Sequence, residues 1–243
     1  MPPPHTHCPL TRHTLADHTQ QTLRPARRAK PAIVLARCGD HAVLVKDFAP
    51  TAWLYRALYG RWLVARECAI YRVLDGMEGV PAFRGRLDAF AFAVDYIDGR
   101  DLKHLPRGGI QPEVFDRLAD LLRALHTRGV VHLDAHQQRN VLLDADARPH
   151  LVDFATAIHL GTGWLARKLL VPWLARADWR GFLKLKARYC KHAFTPDERR
   201  RWRRIRLLGW LWPPTAWRQL RRKHKKRRAR RQAQRDSRSS DGS

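Results

Sequence analysis

The 243-residue sequence predicts an α+β fold in two lobes, a small β-rich N-terminal lobe and a shortened helical C-terminal lobe. Three features predict it. Two short apolar segments flank a turn at 38–40, a helical pattern follows over 51–74, and a second amphipathic helix is predicted over 112–127. This length is enough for one hydrophobic core divided between two small lobes. Residues 158–192, rich in Trp, Leu, Arg and Lys, are also predicted to be helical. We identify no internal repeat.

The N-terminal elements are predicted in chain order. Residues 1–20 are rich in Pro, His and Thr without periodicity, which predicts a disordered N-terminus. Two strands are predicted over 32–37 and 41–48, and their closeness in sequence indicates a hairpin. After the long helix, the largely apolar segment 89–97 predicts a further strand.

Within the first helix, Glu67 shares a face with apolar residues at helical spacing: Leu63, Ile70 and Leu74. A carboxylate on a core-facing stripe is costly unless it is paired. Lys46, at the end of the second strand, is the expected partner. The other interpretation is a surface Glu that happens to face inward, and we favour the Lys46–Glu67 pair.

The second half of the chain carries a polar loop between apolar segments. His132, Asp134 and Asn140 lie in this loop, and Asp153 follows a second short apolar segment. Phosphoryl transfer needs a carboxylate that orients a hydroxyl group, together with hard oxygen ligands for magnesium. An isolated Asp or Asn is usually a turn former, whereas this ordered set favours catalysis.

This set resembles the catalytic loop and metal-binding motif of the protein-kinase-like superfamily, His-x-Asp, then Asn, then Asp-Phe-Gly. The resemblance implies Asp134 as catalytic base, Asn140 and Asp153 as Mg²⁺ ligands, and His132 as a brace for the loop. His136 stands near the position where protein kinases often carry a lysine beside the transferred phosphate. It would supply a hydrogen-bond donor or partial charge there. The implied cofactors are ATP and Mg²⁺.

The same resemblance extends upstream. Lys46 corresponds to the lysine that holds the ATP phosphates, and Glu67 to its partner. Asp95 and Ile97 correspond to hinge residues whose backbone groups bind adenine, although an ordinary core strand followed by a turn would look the same. The implied division is 21–98 for the N-terminal lobe and 99–198 for the C-terminal lobe.

Several features depart from the family pattern. No Gly-x-Gly-x-x-Gly is present, so with a first strand near 18–23 the phosphate-covering loop would be the basic segment 23–30, or this segment is a flexible linker. The Asp134–Asn140 spacing is six instead of five, so the loop bulges or Asn140 is not the ligand. Alanine replaces the glycine after Phe154, and no Ala-Pro-Glu follows. The resemblance is therefore to compact bacterial kinases of the lipopolysaccharide-core (Kdo) kinase and RIO-like groups, over about 30–195.

The charge is concentrated at the C-terminal end. Formal net charge is +25, and residues 199–231 contain 16 Lys and Arg, which leaves 25 − 16 = +9 for the rest. Tryptophans interleave with the basic residues in 199–243, which favours an anionic membrane surface as the partner, with RNA as the alternative. The apolar segment 164–174 offers a second membrane contact, but we favour a place in the core of the C-terminal lobe.

We therefore expect a kinase that transfers the γ-phosphate of ATP to a hydroxyl group on a glycolipid, such as a lipopolysaccharide core sugar. Alternatives are a RIO-like protein serine/threonine kinase and a nucleotide-binding pseudokinase adaptor. No signal peptide or apolar stretch of about 18 residues is evident. The expected location is the cytoplasm, on the inner face of the membrane. The sequence does not identify the acceptor, the oligomeric state or the regulation.

Overall fold

The computed structural model describes residues 10–211 except for 29, 40, 107 and 162. This part of the chain divides between Ala193 and Phe194 into two compact units. The first unit combines a five-stranded antiparallel sheet with several helices, which confirms the predicted α+β class. The two-lobed, kinase-like arrangement stays a prediction. No described helix is both long enough and apolar enough to cross a bilayer.

The five-stranded sheet has the order β1-β2-β3-β5-β4. Its strands are β1 (Thr19–Arg24), β2 (Ala32–Cys38), β3 (His41–Asp47), β4 (Phe83–Arg86) and β5 (Ala91–Asp95). Alternate residues of β2, β3 and β5 point into the core, among them Val34, Val43, Val45, Ala91 and Ala93. In the register, Lys46 of β3 lies between Ile33 of β2 and Phe92 of β5, so a cation sits on the central strand.

The N-terminal segment differs from the sequence prediction. Residues 10–20, expected to be disordered, are ordered and include a short helix α1 (Leu15–His18). Leu10 and Leu15 are buried against the sheet. Arg12 forms a bidentate ion pair with Asp47, at 2.6 and 2.9 Å, and contacts Asp88 at 2.6 Å. Leu10, Leu15 and the ion pairs of Arg12 therefore hold this segment in place. None of these contacts produces a periodic pattern in the sequence. Residues 1–9 lie outside the described part.

The predicted long helix is present as three consecutive segments. They are α2 (Trp53–Tyr55), a π-helical turn (Arg56–Gly60) and α3 (Arg61–Val73). Its buried face contains Glu67 and Ile70 of the predicted stripe, whereas Leu63 is only partly buried. Val64, Cys68 and Tyr71 complete the buried face. This face packs beside β4 and β5, which brings Glu67 toward the middle of the sheet.

After the sheet, α4 spans Pro112–Thr127, the predicted bounds. A three-stranded sheet forms from β6 (Arg100–Asp101), β8 (Val141–Leu143) and β9 (Pro149–Leu151). A two-stranded one pairs β7 (Val130–Val131) with β10 (Ile158–His159). A second π-helical turn (Ala166–Leu170) leads into α5 (Val171–Tyr189), which packs on α4 and β7. The predicted helix over 158–192 is therefore shorter and begins after a strand.

One expectation about 164–174 is wrong. The large apolar side chains there were expected to lie in the core of the C-terminal lobe. Five of them are exposed instead: Trp164, Leu165, Leu169, Leu170 and Trp173. The turn of α5 that enters the core begins at Val171 and continues at Ala175.

The second unit begins at Phe194, five residues before the expected tail at 199. Its helix α6 spans Pro196–Leu211. Thr195 and Glu198 cap the helix reciprocally, since each side chain accepts a hydrogen bond from the other's backbone N–H, at 3.2 and 2.9 Å. Thr-Pro-Asp-Glu is thus a helix start and not a continuation of the preceding unit. Residues 212–243 of the predicted tail lie outside the described part.

Candidate functional site

The structure brings Lys46, Glu67 and Asp153 into direct contact. Nζ of Lys46 lies 2.9 and 2.8 Å from the two carboxylate oxygens of Glu67 and 2.9 Å from Oδ1 of Asp153. The pair predicted between Lys46 and Glu67 is therefore formed. Glu67 is buried, whereas the Asp153 side chain is 50% exposed. One end of the cluster is locked in the core and the other is open to a ligand.

The charges of this cluster are unbalanced. Burial alone would lower the pKa of Lys46, but the carboxylates of Glu67 and Asp153 outweigh it and hold that pKa above its ordinary value. The pKa of Asp153 is lowered, chiefly by the charge of Lys46. Burial raises the pKa of Glu67, against the opposing effect of Lys46. With all three ionised, one positive and two negative charges leave a net −1, which suits a cation beside Asp153.

The loop after β7 places Asp134 next to Asn140. Nδ2 of Asn140 donates to the backbone oxygen of Asp134 at 3.2 Å and lies 3.4 Å from its Oδ2. Two consecutive turns, Gln137 N–H to Asp134 C=O and Asn140 N–H to Gln137 C=O, accommodate the extra residue of this loop. The six-residue spacing is therefore compatible with Asn140 facing Asp134. Gln137 also donates to the Asp134 carboxylate.

His132 is completely buried beneath the loop. Its Nδ1 accepts the Asp134 N–H at 3.3 Å, so Nε2 carries the proton and donates to the Val152 carbonyl at 3.2 Å. Burial lowers the pKa of His132, which keeps the ring neutral, as this pair of bonds requires. The ring packs on Phe154, with centroids 4.8 Å apart. His132 thus joins the loop to the segment that carries Asp153, the bracing place expected for it.

The side chain of His136 contacts the carboxylate of Asp134. Its Nδ1 is 3.3 Å from Oδ1 of Asp134, and its side chain is half exposed. This position leaves it able to donate to Asp134 or to a group bound beside Asp134. Gly181 of α5 lies directly behind: a Cβ there would come within 2.9 Å of the His136 Cβ and 3.1 Å of its backbone nitrogen. The helix therefore needs glycine at that point to support the loop.

Asp178 of α5 is a site residue that the sequence analysis did not select. Its side chain is fully buried and accepts hydrogen bonds from the backbone N–H groups of His132 at 2.9 Å and Leu133 at 2.7 Å. His126 of α4 contacts it at 3.0 Å. Leu133 has a positive φ of 64°, unfavourable for a residue with a Cβ, and these bonds fix it there.

The backbone after β9 explains why Ala155 can stand where the family motif has glycine. Asp153 takes the left-handed conformation, with φ 64°, whereas Ala155 has no positive φ and so needs no glycine. The Ala155 N–H also helps lower the pKa of Asp153. Phe154 is buried between His132 and Tyr71 of α3, whose ring centroid lies 5.2 Å away. These three rings connect the first helix, the loop and Asp153.

The expected adenine-binding residues lie at the end of β5. The N–H of Asp95 donates to the Ala82 carbonyl at 2.9 Å, so this N–H group is already paired. Its carboxylate forms a two-bond ion pair with Arg84. Ile97 is the second residue after the strand. The arrangement fits a backbone contact at this edge, which remains a prediction.

The segment 23–30 connects β1 to β2, the place predicted for a phosphate-covering loop. Its tip closes through paired backbone bonds between Arg27 and Lys30, at 3.0 and 2.9 Å. Both side chains are exposed, as is that of Arg28. Basic side chains at the tip of a β-hairpin can bind an anion directly, so the backbone N–H groups of a glycine-rich loop are not needed for this contact.

The donor set fits magnesium. Asn140 and Asp153 carry side-chain oxygens, the kind of ligand that Mg²⁺ prefers, and Mg²⁺ commonly takes few protein ligands together with water and phosphate oxygens. Among the described residues, no group of three or more His, Cys, Asp and Glu side chains forms a metal cluster. Transition-metal sites of that kind are thus not found in the described part.

No protein-family model matches the chain. A probable bifunctional tRNA threonylcarbamoyladenosine biosynthesis protein from Methanosarcina barkeri is 29% identical over 121 residues, 48% of this chain. The chain spans only 21% of the length of that archaeal protein.

Proposed function

We propose that the chain is an ATP-dependent phosphotransferase, active on a hydroxyl group. The observation that carries the proposal is the joint placement of Lys46, Glu67 and Asp153 in one ion-paired cluster, from three separate parts of the sequence. Asp134 and Asn140 form a second, contacting pair on the braced loop. Phosphoryl transfer needs a positioned cationic side chain, a carboxylate that acts as general base, and oxygen ligands for a metal ion.

In the proposed reaction, Lys46 binds the phosphates of ATP, and Glu67 holds its ammonium group in place. Asn140 and Asp153 would hold Mg²⁺, which would neutralise charge on the transferred phosphoryl group. Asp134 accepts a hydrogen bond from the acceptor hydroxyl, orients it for in-line attack and takes its proton. The hydroxyl oxygen forms a bond to the γ-phosphorus while the bond from that phosphorus to the β–γ bridging oxygen breaks, and ADP leaves. His136 and Gln137, which contact the Asp134 carboxylate, orient it.

For the acceptor we propose a membrane-associated glycolipid, such as a lipopolysaccharide core sugar, and hence a place on the inner face of the cytoplasmic membrane. The basic, tryptophan-containing sequence 199–231 supports an anionic surface as partner. The alternative is a RIO-like protein kinase associated with RNA. The name of the archaeal relative, a tRNA-modification protein, favours RNA as the partner of the basic sequence in that case.

The test measures ATP binding and phosphate transfer separately. Binding of a fluorescent ATP analogue and transfer of the labelled γ-phosphate to a hydroxyl acceptor are compared for the wild type, Asp134→Asn and the control Asp146→Asn. Asp146 lies on a nearby turn and is exposed. We expect Asp134→Asn to keep nucleotide binding and to lose transfer by about 10²–10⁴-fold, while the control behaves as wild type.

Two results would overturn the proposal. If the wild type binds ATP without turnover on any hydroxyl acceptor, the chain is a nucleotide-binding pseudokinase adaptor. If Asp134→Asn turns over at the wild-type rate, Asp134 is not the base.

A further inference from the structure

Two exposed helical segments share one sequence pattern that the sequence analysis missed as a repeat. Residues 53–62 read WLYRALYGRW, and residues 164–173 read WLARKLLVPW. Aligned without gaps, the two have Trp at the first and last positions, Leu at the second and sixth, and Arg at the fourth. Leucine follows each, and an acidic residue follows four positions after that leucine. We name these segments the first and second tryptophan modules.

The structure treats both modules alike. Each begins a long helix, and each contains a single π-helical turn, Arg56–Gly60 in the first and Ala166–Leu170 in the second. With about four to five residues per turn there, positions four and five apart share a face. The large apolar residues at the same five positions are exposed in both: Trp53, Leu54, Leu58, Tyr59 and Trp62, and Trp164, Leu165, Leu169, Leu170 and Trp173.

The exposure of these side chains is unusual for a soluble surface. The four tryptophans are between 57% and 72% exposed. Most other exposed positions of the chain are charged or polar, and contiguous apolar surface of this kind marks a contact with another body. The acidic residues that follow the modules, Glu67 and Asp178, are in contrast buried in the site. Each helix therefore presents its first turns to the outside and anchors the site with its later turns.

The charges around the modules indicate what covers them. From 48 to 66 the sequence has three Arg and no Asp or Glu, and from 154 to 177 it has three Lys or Arg and no Asp or Glu. Basic groups lie over two of the exposed rings: Arg66 over Trp62 at 5.2 Å and Lys168 over Trp164 at 5.3 Å. Tryptophan and tyrosine beside leucine and basic residues, without acid, is the composition of helices that lie in the headgroup region of an anionic bilayer.

One hydrogen bond joins the segments next to the two modules. Arg66, which packs on Trp62, donates to the backbone oxygen of Ala157. From Ala157 the chain reaches Trp164 in seven residues, at most about 25 Å. Residues that flank the two modules are therefore in contact with one another.

We propose that the two tryptophan modules are an interfacial membrane anchor, which holds the folded unit on a bilayer of anionic phospholipid. The tryptophans lie at the headgroup level, the leucines enter the acyl region, and the flanking Arg and Lys contact lipid phosphates. This anchor is separate from the basic sequence 199–231. It deepens the membrane location given in the proposed function and does not depend on phosphoryl transfer, since binding needs no nucleotide.

The test is flotation of the full chain with vesicles of phosphatidylcholine, with and without phosphatidylglycerol, in the absence of ATP. Trp53→Gln/Leu58→Gln/Trp62→Gln removes the first module, and Trp164→Gln/Leu169→Gln/Trp173→Gln removes the second. Leu23→Gln, an exposed leucine outside both modules, is the control. We expect each triple variant to lose about tenfold or more in vesicle partitioning, and Leu23→Gln to match the wild type.

Salt separates the modules from the basic sequence. At about 1 M NaCl the Debye length falls to about 3 Å, so electrostatic attraction of 199–231 is suppressed and apolar insertion is not. We expect residual wild-type binding at that salt, and its loss in either triple variant. Circular dichroism establishes that the variants are folded.

The proposal is overturned if folded triple variants float like the wild type at both salt concentrations. It is equally overturned if the wild type ignores vesicles and forms a dimer that the triple variants dissociate, since a second copy then covers the modules. Binding to RNA that follows the modules, without vesicle binding, would also contradict it.

Discussion

Replacement of Asp178 by asparagine tests how the loop that carries Asp134 is held. The carboxylate accepts two backbone hydrogen bonds at 2.7 and 2.9 Å and contacts His126 at 3.0 Å, all inside the protein. Asparagine has nearly the same volume but only one acceptor oxygen. Its amide group must therefore face a donor, so at least one buried N–H group loses its acceptor.

The magnitude follows from these contacts. A hydrogen bond to a charged group contributes about 1.5–3 kcal/mol, and an unsatisfied buried donor costs about 1–3 kcal/mol. We therefore expect Asp178→Asn to lower the free energy of unfolding by about 3–5 kcal/mol, a large part of the 5–15 kcal/mol typical of a domain. Leu133, with its positive φ, is expected to relax, which displaces Asp134.

Urea unfolding followed by circular dichroism measures the stability, and labelled phosphate transfer measures the activity. Asp120→Asn is the matched control, because Asp120 lies on α4 and is 74% exposed in a surface pair with Arg123. We expect it to change the free energy of unfolding by less than about 0.5–1 kcal/mol. Equal stability of the two variants would refute the role of Asp178.

Three further predictions concern the same unit. Gly181→Ala should displace the loop at His136 and lower transfer at least about tenfold with a smaller change in nucleotide binding; wild-type kinetics would contradict the tight packing. The pKa of Asp88 is lowered by its bond to Arg12, in opposition to burial, so that this interaction is present above about pH 4 and lost as the pH falls below it; the stability difference between wild type and Arg12→Gln in urea should shrink in acid, and a constant difference would contradict this. The pKa of His132 is lowered by burial, so the unfolded chain takes up its proton first and stability should decrease as the pH falls below about 6.5; a pH-independent stability between pH 8 and 5 would contradict a neutral His132.

Much of the site was predictable because its residues interrupt simple patterns. Glu67 is a carboxylate on an apolar helical face, so the sequence predicts that it has a cationic partner. The structure shows this partner to be Lys46, as predicted. The bounds of α4 follow from a strong amphipathic period. Asp134, Asn140 and Asp153 stand out because polar groups lie between short apolar segments.

Asp178 shows why the rest was missed. It lies on the buried face of α5 with Val171, Ala175, Phe182 and Leu185, so the signal that identified Glu67 is present there too. The sequence predicts a helix over 158–192 but does not show which of its faces is buried. The reason is that the large apolar residues of the second tryptophan module fall on several sides of that helix. Amphipathic periodicity cannot separate a face that meets the core from one that meets a membrane.

The prediction of disorder for the N-terminal segment was wrong for a different reason. Its order depends on Leu10, Leu15 and the pairs of Arg12 with Asp47 and Asp88, up to 76 residues apart in sequence. Long-range ion pairs leave no local period, so composition alone predicted disorder for residues 10–20.

The most direct test of the phosphotransferase proposal is incubation of γ-labelled ATP and Mg²⁺ with membrane, lipopolysaccharide and protein fractions, with the wild type and with Asp134→Asn in parallel. We predict that the wild type labels the glycolipid of the lipopolysaccharide or membrane fraction and that Asp134→Asn labels none. Label in protein alone would replace the glycolipid by a protein acceptor. No labelled fraction with the wild type, under conditions in which it binds ATP, would contradict phosphoryl transfer altogether.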